Sequence, residues 1–358
     1  MPRPELSHHE RMRLALEHQE TDRIPISMIC SGVNQPAYDE LEEKLQRDRG
    51  VGVVEYLRPI LDVVPVFPSY VGPALEAGTD HWGVRRRKIS FGIGSYEDEI
   101  ETHPLADATS IDDVLKHPLP SPDWFDYTGI PESIQRINAA EAHGIFAGWG
   151  SIWEAAWYMR GFEAALMDLV VNPELINCIM QKVAEFQIEF HRRMLEAGGG
   201  DIDLIFCGDD IGSQRGLLMS LDAIEQNIKP YHVQLNEMIH RHGAKVVYHS
   251  DGAIMKAIPS LIAMGIDVLQ PLQFDAEGMD PKMLKASHGD VLCFEGGVSV
   301  QKTLPLGTAD DVREEVRELI RLLGRSGGYI LGPAHVIQAG TPAENILAMF
   351  DTALETEL

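Results

Sequence analysis

Short apolar, β-branched runs that break abruptly into polar or glycine residues recur along this chain: "DLIFCGDD" ends at Asp210, "AKVVYHSDG" at Gly252, "VLCFEGG" at Gly297 and "GYILGPAH" at His335. A strand covered on both faces reads as a continuous apolar run, the pattern of a parallel sheet buried between helices. From residue 144 the rhythm is regular. "GIFAGWG" reads as a strand and 151–170 as a helix. Asn172 and Pro173, as N-cap and first helical residue, open a long helix to Gly198. Strand "DLIFCG" follows, then a helix from Ser220 to Gly243 interrupted near Pro230. Strand "KVVYH", helix 253–264, strand "DVLQPL", a short helix at 281–287, strand "VLCFEG", helix 308–323, strand "GYILG" and helix 341–355 complete the series. Thr341, Pro342 and Glu344 predict a capping box on the last helix, and Ser7 with Glu10 predicts another on an N-terminal amphipathic helix.

Such alternation demands a parallel sheet. Six units fit within 144–358, so an eight-stranded closed barrel needs two strands from the first 140 residues, where "RIPISMIC" and "VVPVFP" are the strand signals. The expected architecture is a single α/β domain over 1–358, a (β/α)8 TIM barrel with an N-terminal elaboration in 1–140; an open doubly wound sheet is the alternative. In a barrel, the C-terminal ends of the strands form the active-site rim. Asp209, Asp210, His249, Asp251, Glu295 and His335 therefore converge on one face.

Composition narrows the partners. With 55 acidic against 30 basic residues and a net charge of -25, the chain argues against nucleic acid or anionic lipid. Cys30, Cys178, Cys207 and Cys293 lack CxxC spacing and lie mostly in apolar runs, the pattern of reduced core thiols in a cytoplasmic enzyme. No signal peptide or membrane-length apolar run is expected.

No dinucleotide fingerprint, P-loop, HExxH or nucleophile elbow is present. The chemistry is dispersed. His249 and Asp251 are two apart at a strand end and point the same way if the strand persists; with His335 they make two imidazoles and a carboxylate, a set suited to Zn2+ with an open position or to Fe2+. The same residues also suit a metal-free hydrogen-bonded site. Asp209, Asp210 and Glu295 are candidate general bases or further ligands, and one of the adjacent aspartates is expected to be helix-capping or structural, the other to touch the substrate. Trp149, Trp153, Trp157 and Tyr158 crowd one strand-helix junction, either as core or as an aromatic wall for a flat substrate. Trp149, Trp153, Tyr158 and Gln273 are the substrate-binding candidates. The basic run Arg85, Arg86, Arg87, Lys88 reads as a solvated strand edge or as an anion clamp.

"GGYILGPAHVIQAGTPAENILAM" resembles the C-terminal signature of the uroporphyrinogen decarboxylase superfamily, and "YHSDG", "DVLQPLQ" and "FEGGVSVQKTLP" resemble its blocks in the same order. "GIFAGWGSIWEAAWYMRG" is similar to its strand-helix segment ending in Tyr and Gly. The likeness covers about 145–358, with "TDRIPI" the clear match further upstream. It implies a (β/α)8 barrel with its site at the C-terminal mouth. Tyr158 and His335 match site positions of the true decarboxylases, but their Arg-Gln-Ala-Gly-Arg motif is missing, since "ISMICSGVNQPA" contains no Arg. The resemblance also extends to zinc methyltransferases that use corrinoid proteins. There His249, Asp251 and His335 fall where a His-x-Cys-Gly motif and a distant Cys bind zinc. What this implies is a cytoplasmic enzyme that moves a methyl group from a small methoxylated or methylated compound to a corrinoid protein, possible as a homodimer. A metal-free decarboxylase or lyase of a small acid is the alternative.

Overall fold

The computed structural model describes residues 6–29, 31–92 and 95–357. Seven parallel strands form one curled sheet in chain order: β1 (Val63–Val66), β2 (Gly144–Gly150), β3 (Leu204–Gly208), β4 (Lys245–His249), β5 (Val268–Gln270), β6 (Cys293–Val298) and β7 (Tyr329–Pro333). The eighth place is held by a short extended piece around Ile26, which bridges Leu331 of β7 in parallel and is joined to the start of β1 by the Asp62 amide donating to the Ile26 carbonyl at 2.8 Å. The ring is therefore that of a TIM barrel. The expected strand "RIPISMIC" is reduced to this contact, and its Cys30 lies outside the described residues.

Two apolar layers explain the continuous hydrophobic runs. Leu204, Phe206, Val247, Val268, Cys293 and Ile330 point inward, where they meet Met12 and Ala15. Their alternates Ile205, Cys207, Val246, Tyr248, Leu269, Phe294 and Leu331 pack outward against the surrounding helices. Met12 and Ala15 belong to the helix His8–Leu16, which closes the N-terminal end of the barrel and opens on the expected Ser7–Glu10 capping box. Below it, fully buried Asp62 accepts from Ile26 N, His8 Nδ1, Arg11 Nη1 and Arg23 Nη1, fastening plug, eighth strand and β1 together. Burial opposes ionisation of Asp62, but the hydrogen bond from His8 and the Arg23 and Arg11 guanidiniums hold the carboxyl below its usual range.

Several expected elements shift. The helix over 151–170 is two helices, Trp153–Arg160 and Phe162–Val171, broken at Gly161 with φ +95. Pro230 lacks the amide that would continue the preceding turn, and Ile224–Ile228 widens to a π turn just before it. The helix expected at 253–264 begins only at Ile258. The capping box at Thr341 does not form: Pro342 is the N-cap of Ala343–Glu355, no side chain caps it, and the buried Thr341 hydroxyl has no partner. In the N-terminal elaboration, Arg85–Gly92 and Ser95–Thr102 make an antiparallel hairpin. The basic run sits on it largely as a solvated edge, with Arg87 and Lys88 opposite Glu99 and Asp98, and Arg85 paired with Glu101 at 3.0 Å. Arg86 alone of the four lines a cavity at the mouth. Cys178, Cys207 and Cys293 are free thiols, and no helix among the described residues is long and apolar enough to cross a membrane.

Candidate active site

The inward register that fills the barrel with Val247, Val268 and Cys293 places His249, Gln270 and Glu295 two residues further on, one layer nearer the mouth. Above them opens a chamber of about 250 Å3 lined by Trp149, Glu154, Tyr158, Asp210, His249 and His335.

His249 is oriented by a residue that its sequence position did not single out. Its Nδ1 lies 2.6 Å from Gln270 Oε1, while Gln270 Nε2 donates to the Ile29 carbonyl at 3.1 Å. A carbonyl only accepts, so the amide nitrogen must face Ile29 and the amide oxygen must face the imidazole. The Nδ1 atom then carries the proton, and Nε2 presents its lone pair, the arrangement by which a second group fixes a metal-binding histidine. Backbone packing also supports this point: a Cβ at Gly208 would stand 2.2 Å from the His249 carbonyl oxygen, so strand β3 can approach here only as glycine.

His249, Asp251 and His335 each offer one ligand atom, all within 4.8 Å of one another. Asp251 Oδ2 is 3.9 Å from His335 Nε2, and the two imidazole centroids are 5.9 Å apart. Asp251 Oδ1 is buried with no hydrogen-bond partner. Burial raises the Asp251 carboxyl above its usual range and Asp210 adds to that, against His249 and His335. A buried, unsatisfied carboxylate oxygen beside two imidazoles is the donor set a divalent cation satisfies, and the residues fit the group.

The adjacent aspartates divide. Asp210 faces the chamber, accepting the Asp251 amide at 2.7 Å with the same oxygen that lies 3.6 Å from His249 Nε2. Asp209 faces away and is fully buried, its oxygens accepting from the amides of Ile152, Trp153 and Glu154 and from His232 Nε2. It is the cap, supplied from β3, of the Trp153–Arg160 helix.

That helix delivers Glu154 and Tyr158, one turn apart, with Tyr158 Oη donating to Glu154 Oε1 at 2.6 Å. Burial, then Asp210 and Asp209, push the Glu154 carboxyl above the ordinary carboxylate range, so it retains a proton near neutrality. Burial and Glu154 likewise keep the Tyr158 phenol protonated. The i, i+4 spacing to Tyr158 was the signal for Glu154, which the sequence reading passed over.

Glu295 lies beneath the chamber, fully buried, with Ser27 Oγ donating to it. Burial pushes its carboxyl up to about 8 against the bonds from Ser27 and Gln270. The raised folded value means that stability is complete below the unfolded value near 4.5 and is lost as pH rises towards 8, by up to about 1.4 kcal/mol per pH unit. Glu295→Gln removes the ionisation. Melting followed from pH 5 to 8 should show the variant gaining on wild type as pH rises; parallel curves would mean that Glu295 ionises as an ordinary carboxyl.

The substrate-binding candidates separate in the same way. Trp149 is 64% exposed at the mouth. Trp153 is fully buried and lines neither mouth cavity, so it is core. Trp157 is partly buried against Tyr158 and Phe162. Gln273 is also turned away: it accepts the Gly252 amide at 2.7 Å and fixes the turn after Asp251.

A model of the uroporphyrinogen decarboxylase (URO-D) family matches residues 97–356. A curated uroporphyrinogen decarboxylase from Anaeromyxobacter sp. (strain Fw109-5) is 24% identical, covering 94% of this chain and 96% of its own. One from Anaeromyxobacter dehalogenans (strain 2CP-C) is 22% identical, covering 95% and 97%. Among solved structures, a methyltransferase from Methanosarcina mazei superposes with a TM-score of 0.71 at 18% identity, over 98% of this chain and 99% of that one.

Proposed function

We infer that this chain, which belongs to the uroporphyrinogen decarboxylase family, is a metal-dependent methyltransferase that demethylates a small methoxylated or methylated compound and passes the methyl group to a corrinoid on a partner protein. The observation that carries this reading is the His249, Asp251, His335 cluster at the barrel mouth. Zinc or iron(II) held there would supply Lewis acidity towards the donor's heteroatom.

The protein's own groups do the rest. Gln270 keeps the His249 ring in the ligating tautomer, and Trp149 and Tyr158 border the space for the donor. In an ether donor the methyl carbon–oxygen bond would break with both bonding electrons left on oxygen, and a reduced corrinoid on the partner protein would, as methyl acceptor, provide the electron pair for the new bond to carbon. The released oxygen takes a proton from Glu154, which lines the same chamber and holds one near neutral pH.

Uroporphyrinogen itself is a poor match. Among the described residues, the lining of the chamber includes no lysine or arginine, and Arg86 at the adjoining cavity is paired with Asp80. The many carboxylates of an octacarboxylate would go unmatched there. The test is methyl transfer from methoxylated and methylated donors to reduced cobalamin, followed by the visible spectrum of the corrinoid. Donor-dependent methylcobalamin, abolished by a chelator and restored by Zn2+ or Fe2+, is expected. Carbon dioxide release from a small acid, unaffected by chelator and without methyl transfer, would replace this reading with a decarboxylase.

A further inference from the structure

Three inward residues stand side by side in the layer beneath the metal chamber. His249 pairs with Gln270 in the register of β4 and β5, and the Leu269–Phe294 pair of β5 and β6 puts Glu295 next in line. Gln270 therefore stands between His249 and Glu295 and serves both: its amide oxygen faces the His249 Nδ1 proton at 2.6 Å, and its side chain also hydrogen-bonds the Glu295 carboxyl. From the eighth strand, Ser27 Oγ donates to Glu295 Oε1. The wall opposite leaves room for this carboxyl, since a Cβ at Gly332 would stand 3.1 Å from Oε1 and 2.7 Å from the Ser27 carbonyl oxygen.

No cation in this layer answers the charge that Glu295 would carry. The side chain is fully buried, Oε2 has no hydrogen-bond partner, and no lysine or arginine among the described residues pairs with it. The titratable groups packed around it are Cys293 on its own strand, Tyr329 on β7 and, across Gln270, His249 on β4. Burial holds the Tyr329 phenol well above its usual range and the Cys293 thiol up at about 12, so both stay neutral. An isolated buried carboxylate is costly, and such a group keeps its proton until a positive charge is near.

That charge belongs at the other end of the Gln270 bridge. Two imidazoles and the Asp251 carboxylate leave a divalent ion with one positive charge uncompensated. Asp210 is 34% exposed, and water weakens its pull on the ion. Glu295 has no water beside it to do the same.

We propose that Glu295 is an outer carboxylate of the metal site: it seats the Gln270 amide that orients His249, and it gives up its proton when the ion binds, so that its charge balances the ion's. The O–H bond breaks, the electron pair stays on the carboxylate, and the proton passes to solvent. This rests on the metal-dependent reading, and the test reads binding rather than activity.

Zn2+ is titrated into metal-free wild type, Glu295→Gln and Ser27→Ala, by competition with a chelating dye at pH 6 and pH 8 and by calorimetry at pH 7 in buffers of different ionisation enthalpy. Glu295→Gln keeps the shape of the side chain and removes its charge. It is expected to match wild type at pH 6, to bind Zn2+ about tenfold more weakly at pH 8, and to release about one proton fewer per ion at pH 7. Ser27→Ala loosens the carboxyl's seat but keeps its charge, so it should still release that proton. Equal affinity at both pH values and equal proton counts in wild type and Glu295→Gln overturn this proposal alone; equal weakening at both pH values makes the role merely structural and overturns it too. A wild type that binds no Zn2+ removes the metal reading and the proposal with it. Should Glu295→Gln fail to fold, infrared difference spectra of wild type decide: loss of a protonated-carboxyl band on Zn2+ loading at pH 7 is expected, and persistence of every such band is the contrary result.

Discussion

Asp209→Ala should lower the melting temperature by about 5 °C and disable the mouth of the barrel, the largest stability effect expected at any of the candidate residues. The side chain is fully buried and serves four donors, three amides at the start of the Trp153–Arg160 helix and His232 Nε2. Truncation leaves all four without an acceptor in a place water does not reach. At about 1 kcal/mol each this comes to about 4 kcal/mol, or about 5 °C for a chain of this size. The damage is also directional, because the amides released belong to the turn that carries Glu154, and Tyr158 is bonded to Glu154. Asp209→Asn keeps one acceptor oxygen and turns an amide donor towards other donors, so it should fall between wild type and Ala. Calorimetric melting of the three proteins checks the order. A Leu or Ala variant at Asp209 melting within a degree of wild type would mean that the cap is not what anchors this helix.

His249→Ala and His335→Ala should each weaken metal binding by more than about a hundredfold, and activity should fall with it. Loss of a group that merely orients a ligand typically costs 10–100-fold in affinity, and these substitutions remove the ligand atom itself. In His249→Ala the Gln270 amide oxygen also loses its donor, while Asp251 Oδ1, already without a partner, stays unsatisfied. The two variants should differ in stability. His335 is partly exposed and its removal should leave melting nearly unchanged, whereas His249 is buried beside Phe206 and should cost about 1–2 kcal/mol. Competition with a chelating indicator dye reads the affinity, and thermal melting separates it from misfolding.

The alternation of apolar runs and helical segments after residue 144 sufficed for the barrel because each strand is buried on both faces, which leaves a mark in every residue. The eighth strand left almost none, since it amounts to a single bridge at Ile26 beside Pro25. Thr341, Pro342 and Glu344 carry a capping signature, yet the helix starts one residue late and packing leaves Thr341 buried and unbonded. At the site, His249, Asp251 and His335 were visible as polar residues terminating apolar runs, and their convergence follows from strand ends that open on the same mouth of the barrel. Gln270 was legible in principle, two residues beyond inward-facing Val268, but its value depends on meeting His249 from the next strand. Which of the two aspartates serves a helix, and the role of Gln273, were hidden for a related reason: Asp209 and Gln273 spend their oxygens on backbone amides of other segments, which no local pattern records.

Metal content per chain, measured by elemental analysis on untagged wild type and on the His249→Ala and His335→Ala variants after loading with Zn2+ or Fe2+ and removal of excess, tests the central claim most directly. The account predicts about one ion per folded wild-type chain and little in either variant. A folded wild type that retains no ion, or variants that retain as much as wild type, would contradict it.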